Sequence, residues 1–243
     1  MSDQFGGYPQ QGQQPGYAPA QGGYGQPGSY QPQPAYGQQQ GGWGEQPAQR
    51  GGASGGQLAA FVQQYAPDQG TEVPGEEFLR YAEGKAPAAL VELWRTYGIG
   101  FYGEQRLAVV DPGEWIDVLQ TWLGEDVTSF PIAVTSFGHV YHYDNQGGRE
   151  RIQCLDPHFQ TNTVVGDDLV AFFNQHLPSP QSHVSDLEGP RGGARAKLGP
   201  LAEGELYYFE PILALGGTVS PDTLAKGDGP THLKLIHERV LAA

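Results

Sequence analysis

Cysteine is nearly absent: the 243-residue chain has only Cys154, so no intrachain disulfide can form and a disulfide-stapled scaffold is excluded. Basic residues are also scarce. Thirteen Lys and Arg stand against 27 Asp and Glu, for a formal charge of −14. Phosphate recognition needs a lysine and arginine footprint, so direct nucleic-acid binding is not expected. No apolar run approaches the roughly 20 residues that span a bilayer, so no membrane partner is expected. The N-terminus lacks a basic stretch followed by an apolar run, so no secretory signal is predicted and the cytoplasm is the expected location.

Residues 1–56 contain no Leu, Ile or Val, and their only charges are Asp3, Glu45 and Arg50. Gly, Gln, Pro and Tyr dominate. Too little apolar surface is available to offset the entropy of ordering, so this tail is predicted to be disordered. It spaces its aromatics regularly from Phe5 through Tyr17, Tyr24 and Tyr30 to Trp43. That pattern suits a tether, or a segment that self-associates weakly. The rest of the chain carries 12 basic and 25 acidic side chains, and its length suits one domain with a small appended unit. An acidic face suits a basic partner through steering and complementarity.

Signals for catalysis are missing too. No G-x-S-x-G elbow or Walker A loop is present, and Gly98-Ile99-Gly100 follows a predicted helix instead of a strand. His139 and His142 sit three apart in a predicted strand, where alternation sends them to opposite faces. His232 and His237 are five apart on a predicted helix, roughly 140° around it. No zinc-type spacing of Cys and His appears, so no metal and no cofactor are expected. Cys154 falls in a predicted strand, where a buried, inert thiol is the expectation. Glu125-Asp126 and Asp167-Asp168 are paired carboxylates at helix ends, where capping and a solvated face account for them.

Elements follow from spacing. Leu58, Phe61, Val62 and Tyr65 form a helical stripe ended by Pro67, and Glu76–Tyr81 is a second short helix. A third places Leu90, Leu93, Trp94 and Tyr97 on one face and stops at Gly98. Arg106–Val110 reads as a strand. Asp111, Pro112 and Glu114 then give a capping-box start to a helix that buries Trp115, Val118, Leu119 and Trp122 and ends at Gly124. Glu114, Asp117 and Thr121 lie on its other face. Pro131–Phe137, His139–Tyr143, Arg151–Leu155 and Thr161–Val165 are predicted strands, with a turn at residues 144–148. Asp167 opens a helix carrying Leu169 and Phe172. Residues 178–193 read as a Pro, Ser and Gly-rich connector. A short helix starts at Ser220-Pro221, and a last helix faces Leu233, Ile236 and Val240 inward. Helices, then a mainly antiparallel sheet, then helices give an α+β fold.

Lys197–Gly217 breaks an apolar run with Pro211 and frames it with Gly199-Pro200 and Gly216-Gly217. Proline and glycine disfavour both helix and central strand, so the segment is expected to pack a specific irregular corner. These residues carry a resemblance. Pro87 to Leu90, Leu93 to Gly98, Val110-Asp111-Pro112, Trp122-Leu123-Gly124, Phe130 to Ala133 and Leu155-Asp156-Pro157 resemble the GAD-like (GAD-related) domain family. Lys197 to Leu201, Tyr208-Phe209 and Pro211 to Gly217 are similar to the C-terminal domain of type VI secretion immunity proteins. The resemblance covers most of 68–241 and implies a cytoplasmic, non-enzymatic protein that neutralises a cognate toxin, in one branch a DNase, by binding it. It carries no catalytic residues over. The expected domains are a tail over 1–56, a GAD-like α+β domain over 57–178, and an immunity-protein-like domain over 179–243 packed on it. The expected partner is a basic protein of the nuclease-toxin class. The candidate contacts are Glu114, Asp117, Glu125 and Asp126. A scaffold assembled through the tail and an unrecognised enzyme are the alternatives.

Overall fold

Three helices open the computed structural model, which describes residues 56–242: α1 (Ala59–Gln64), α2 (Glu76–Ala82) and α3 (Ala88–Thr96). The tail expected to be disordered lies outside the described residues, except for Gly56. The predicted stripes bury as their spacing requires, with Phe61 and Tyr65 inside at α1 and Leu90, Leu93 and Trp94 inside at α3. Next come β1 (Gly100–Tyr102), β2 (Leu107–Val109) and α4 (Pro112–Leu123). Then β3 (Phe130–Thr135), β4 (Val140–Gln146), β5 (Arg149–Asp156) and β6 (Thr161–Gly166) follow. The six strands form one antiparallel sheet in chain order. With the flanking helices this is the α+β architecture the sequence predicts.

Strand alternation divides the side chains between two cores. Leu107, Val109, Tyr141 and Ile152 join α1 to α3 and the segment after β6 in one. Val110, Val134, Val140 and Leu155 point the other way, onto Trp115, Val118 and Leu119 of α4. Burying one such side chain fully contributes roughly 1.5–3 kcal/mol, so a one-residue slip in register would forfeit both cores at once.

After β6, α5 (Leu169–Ala171) runs into a π-helical turn, Phe172–His176. Asp168 caps α5, accepting from the Ala171 amide at 2.7 Å. The cap is therefore one residue later than Asp167, which the sequence suggested. Residues 178–193 are not a plain connector. They hold α6 (Pro180–Ser185) and most of α7 (Glu188–Leu198). The turn expected over 144–148 narrows to Gly147-Gly148, both at positive φ, because Gln146 already pairs with Arg149. Strand β1 was not expected. Neither was β8 (Leu224–Asp228), which pairs with β7 (Glu205–Phe209) in a separate two-stranded sheet. The expected helix at Ser220-Pro221 is a single 3-10 turn, Pro221–Thr223, and α8 (Gly229–Leu241) closes the described chain.

Segment 197–217 supplies the corner. Leu206 enters the α4 core beside Leu233 and Ile236 of α8. Tyr207 and Phe209, on the other face of β7, pack with Phe137, Ala194, Leu201 and Leu224 in a third cluster. Gly217 has no room for a side chain, since a Cβ there would overlap the Pro211 carbonyl oxygen. The Tyr207 amide donates to the Ser136 carbonyl at 2.8 Å, which ties β7 to the β3–β4 turn. The segments either side of residue 178 thus share cores.

The two edges of the large sheet differ. Residues 67–72 cover β1 through bridges from Pro67 to Tyr102 and from Glu72 to Ile99. At the other edge β6 has β5 as its only strand partner among the described residues, and Thr161 to Val164 are exposed.

Candidate functional site

Helix α4 starts at a cleft. Asp111 Oδ1 accepts from the Gly113 amide at 2.7 Å, and Pro112 occupies the first turn, so the helix begins where the sequence places it. The cleft encloses about 310 Å³. Its floor is apolar, from Val109, Val110, Trp115, Val134 and Leu206. Glu72, Asp111, Glu114, Glu203 and Glu205 ring it. These carboxylates come from three separated stretches: the loop between α1 and α2, the start of α4 and the segment leading into β7.

Like charges crowd there. Partial burial, with Asp111 and then Glu203 nearby, raises the Glu114 carboxyl above its usual range. Glu205 is held below its usual range by the Ala202 amide at 2.7 Å and by Lys226 at 2.8 Å. Among the described residues, Glu72, Asp111, Glu114 and Glu203 have no salt-bridge partner. The cleft is therefore an apolar floor with a net negative rim.

Of the four residues the sequence singled out, Glu114 lines the cleft, and Asp117 is exposed one turn further along α4. Glu125 and Asp126 are exposed beyond Gly124, the C-cap. At 1.5 Å per residue the helix alone carries the chain roughly 14 Å from Glu114 to Leu123 before them. Of the four, Glu114 alone lines the cleft; the others lie further along α4 and past its end. Sequence reasoning missed Glu72, Glu203 and Glu205, which only the tertiary fold brings to Glu114.

Two buried polar groups lie elsewhere. Arg106 Nη2 donates to Asp186 Oδ2 and Ser182 Oγ at 3.0 Å each, and Tyr141 Oη donates to Asp186 Oδ1 at 2.7 Å. The Arg106 and Asp186 side chains are only 1% exposed, so the pair works as an internal tie. Beside it the Cys154 thiol is pushed far up by burial, then by Asp186, which leaves it protonated and unreactive as expected. The second group joins His139, Asp156 and His158. His158 Nε2 donates to the Phe137 carbonyl at 2.7 Å. Burial, with His139 adjoining, pushes His158 down to about 4. Burial alone would raise Asp156, but His139 and the Phe159 amide hold it below its usual range. His142 lies on β4, bonded to Ser129 at 2.7 Å and Asn162 at 2.9 Å. His232 stacks on Tyr208 with ring centroids 3.7 Å apart, and His237 rests against Trp122. Among the described residues no group of three or more His, Cys, Asp or Glu side chains could hold a metal ion.

Two known domains match this chain. Residues 57–155 match the GAD-like domain, and residues 172–238 match the domain described as "T6SS immunity protein Tdi1, C-terminal". The chain thus carries a GAD-like domain followed by a type VI secretion immunity protein C-terminal domain, the two families its motifs resemble. No curated protein matches it in sequence. Among solved structures it is similar to the crystal structure of Atu4351 from Agrobacterium tumefaciens. That likeness covers 74% of this chain and 87% of the other, at 13% identity and a TM-score of 0.56. It speaks to the fold alone. No helix among the described residues is long and apolar enough to cross a membrane.

Proposed function

We propose that this protein is a non-enzymatic, cytoplasmic immunity protein that neutralises a basic, nuclease-type toxin by binding it. The observation that carries the reading is the acidic cleft at the start of α4, continued by Asp117, Glu125 and Asp126. A nuclease presents a basic surface to its phosphate-rich substrate. An acidic stripe with an apolar pocket at one end complements such a surface and can take the aliphatic stem and the charge of a long basic side chain. The immunity-type domain supports a toxin as the partner. In this reading residues 57–178 and 179–243 act as one binding body, and 1–56 serve as a tether.

The test is binding to the toxin encoded by the adjacent gene. A complex should form at low salt, and its association rate should fall steeply as ionic strength rises. Reversing Glu114 and Asp117 to Lys, and separately Glu125 and Asp126, should each slow association by about tenfold or more. Unchanged rates in both variants would remove the α4 stripe from the interface. No complex at low salt would end the toxin reading.

A further inference from the structure

A strand edge displays a row of unpaired N–H and C=O groups that templates another strand. Folded proteins blunt such edges with charge, proline, bulges or a covering segment. In this sheet the β1 edge is covered by residues 67–72, and β6 has no second strand partner among the described residues. Thr161–Gly166 carries neither charge nor proline. The irregularity in its pairing with β5 lies at Ile152/Gln153, so Thr161 to Val164 keep a continuous register. Beside this edge stand two exposed apolar side chains, Val164 at 61% and Phe159 at 70%.

We propose that β6 is a docking strand that adds an extended basic segment of a partner protein to the sheet. The surface is separate from the α4 stripe, and the inference does not depend on the partner being a toxin. Backbone pairing dictates an extended occupant, with side chains set alternately to either face. Charge decides its chemistry. The middle of the strand is neutral, and the end leading to α5 is negative. At the Thr161 end the neighbouring carboxylate, Asp156, is already engaged by His139 and by the amides of His158 and Phe159. At the other, Asp167 and Asp168 share a surface depression with Asp144 and Glu150, four carboxylates against Arg149 and Arg151. A second copy pairing through its own β6 would bring no Lys or Arg in that strand to meet Asp167 and Asp168, in a chain of charge −14. A strand with Lys or Arg at its ends and β-branched residues between them meets opposite charge and an apolar contact at Val164. A cavity of about 400 Å³, lined in part by Tyr141, Thr163 and His176, adjoins the strand and offers room for one inward side chain of the occupant.

The probe is the peptide Lys-Val-Thr-Val-Thr-Val-Lys, titrated into the full-length chain while amide hydrogen exchange is followed. Exchange at the amides of residues 161–165 should slow by about tenfold or more. A central proline in the peptide, or Glu in place of its terminal Lys residues, should weaken binding by at least about tenfold. Val164→Lys should weaken it comparably and leave the melting temperature unchanged, since the side chain is exposed. Phe159→Ala, in the turn beside the strand, is a second variant expected to weaken binding at an unchanged melting temperature. Binding indifferent to Val164→Lys and to the proline, or protection confined to other amides, overturns the proposal. So does a dimer of the free chain that Val164→Lys dissociates, which would give the edge to a second copy.

Discussion

Arg106 shows how one side chain can tie distant segments. Its guanidinium is buried between the β1–β2 turn and α6, where Asp186, Ser182 and the Leu177 carbonyl meet its Nη2 group. Its Nε and Nη1 atoms have no hydrogen-bond partner, so the charge depends on Asp186. Asp186→Ala should therefore cost about 3–5 kcal/mol in urea unfolding, and the double replacement Arg106→Met with Asp186→Leu should cost much less. Gly229 is a second such position. A Cβ there would meet Trp115 Cη2 at 2.7 Å and the Gly204 carbonyl oxygen at 2.8 Å. Gly229→Ala should destabilise by about 1–3 kcal/mol through overpacking under the cleft, which thermal unfolding would register. Neither role was legible in the sequence, because neither residue's partners are near it in the chain.

Elements were read well wherever the local signal was strong. Asp111-Pro112 and the Trp115, Val118, Leu119 stripe define α4 on their own, and Asp111→Ala should cost about 1 kcal/mol in unfolding experiments. The forward arm of the predicted capping box is altered: Asp111 accepts from the Gly113 amide in place of that of Glu114. Helix α7 was misread for a physical reason. Its sequence EGPRGGARAKL holds three glycines, which favour the unfolded chain, and tertiary contacts override them. Ala194 is buried, Glu188 bonds Arg191 at 2.7 Å, and both Arg191 and Arg195 reach the Glu104 carbonyl. Gly192 has open space around the site of a Cβ, so Gly192→Ala should stabilise by about 0.5–1 kcal/mol. An unchanged or lowered midpoint would argue against a helix there. The candidate site was only half legible for a related reason. Glu114 and Asp117 stand out on the exposed face of a predicted helix, but Glu72 and Glu203 reach the cleft through loops with no periodic pattern.

At the scale of the whole molecule, buried histidines set the response to acid. Burial holds His158 and His232 at about 4, below the ordinary value near 6.5. Between those values the unfolded chain binds more protons than the folded one, so stability rises with pH there. The contribution is present above pH 6.5 and lost as pH falls toward about 4. Melting temperatures measured across that window should drop steadily, and His158→Leu should flatten the slope while lowering stability at neutral pH. A slope unaltered by that replacement would assign the acid sensitivity elsewhere.

The asymmetry of the sheet edges sets a stoichiometry. A sheet free at both ends can lengthen from copy to copy into a fibre. With β1 sealed by residues 67–72, growth here can proceed only from β6. One arriving strand occupies that side, and among the described residues the six-stranded sheet has no second open edge of its own. The fold thus closes one side of any sheet it joins: pairing can reach it through β6 and, among the described residues, cannot continue past β1.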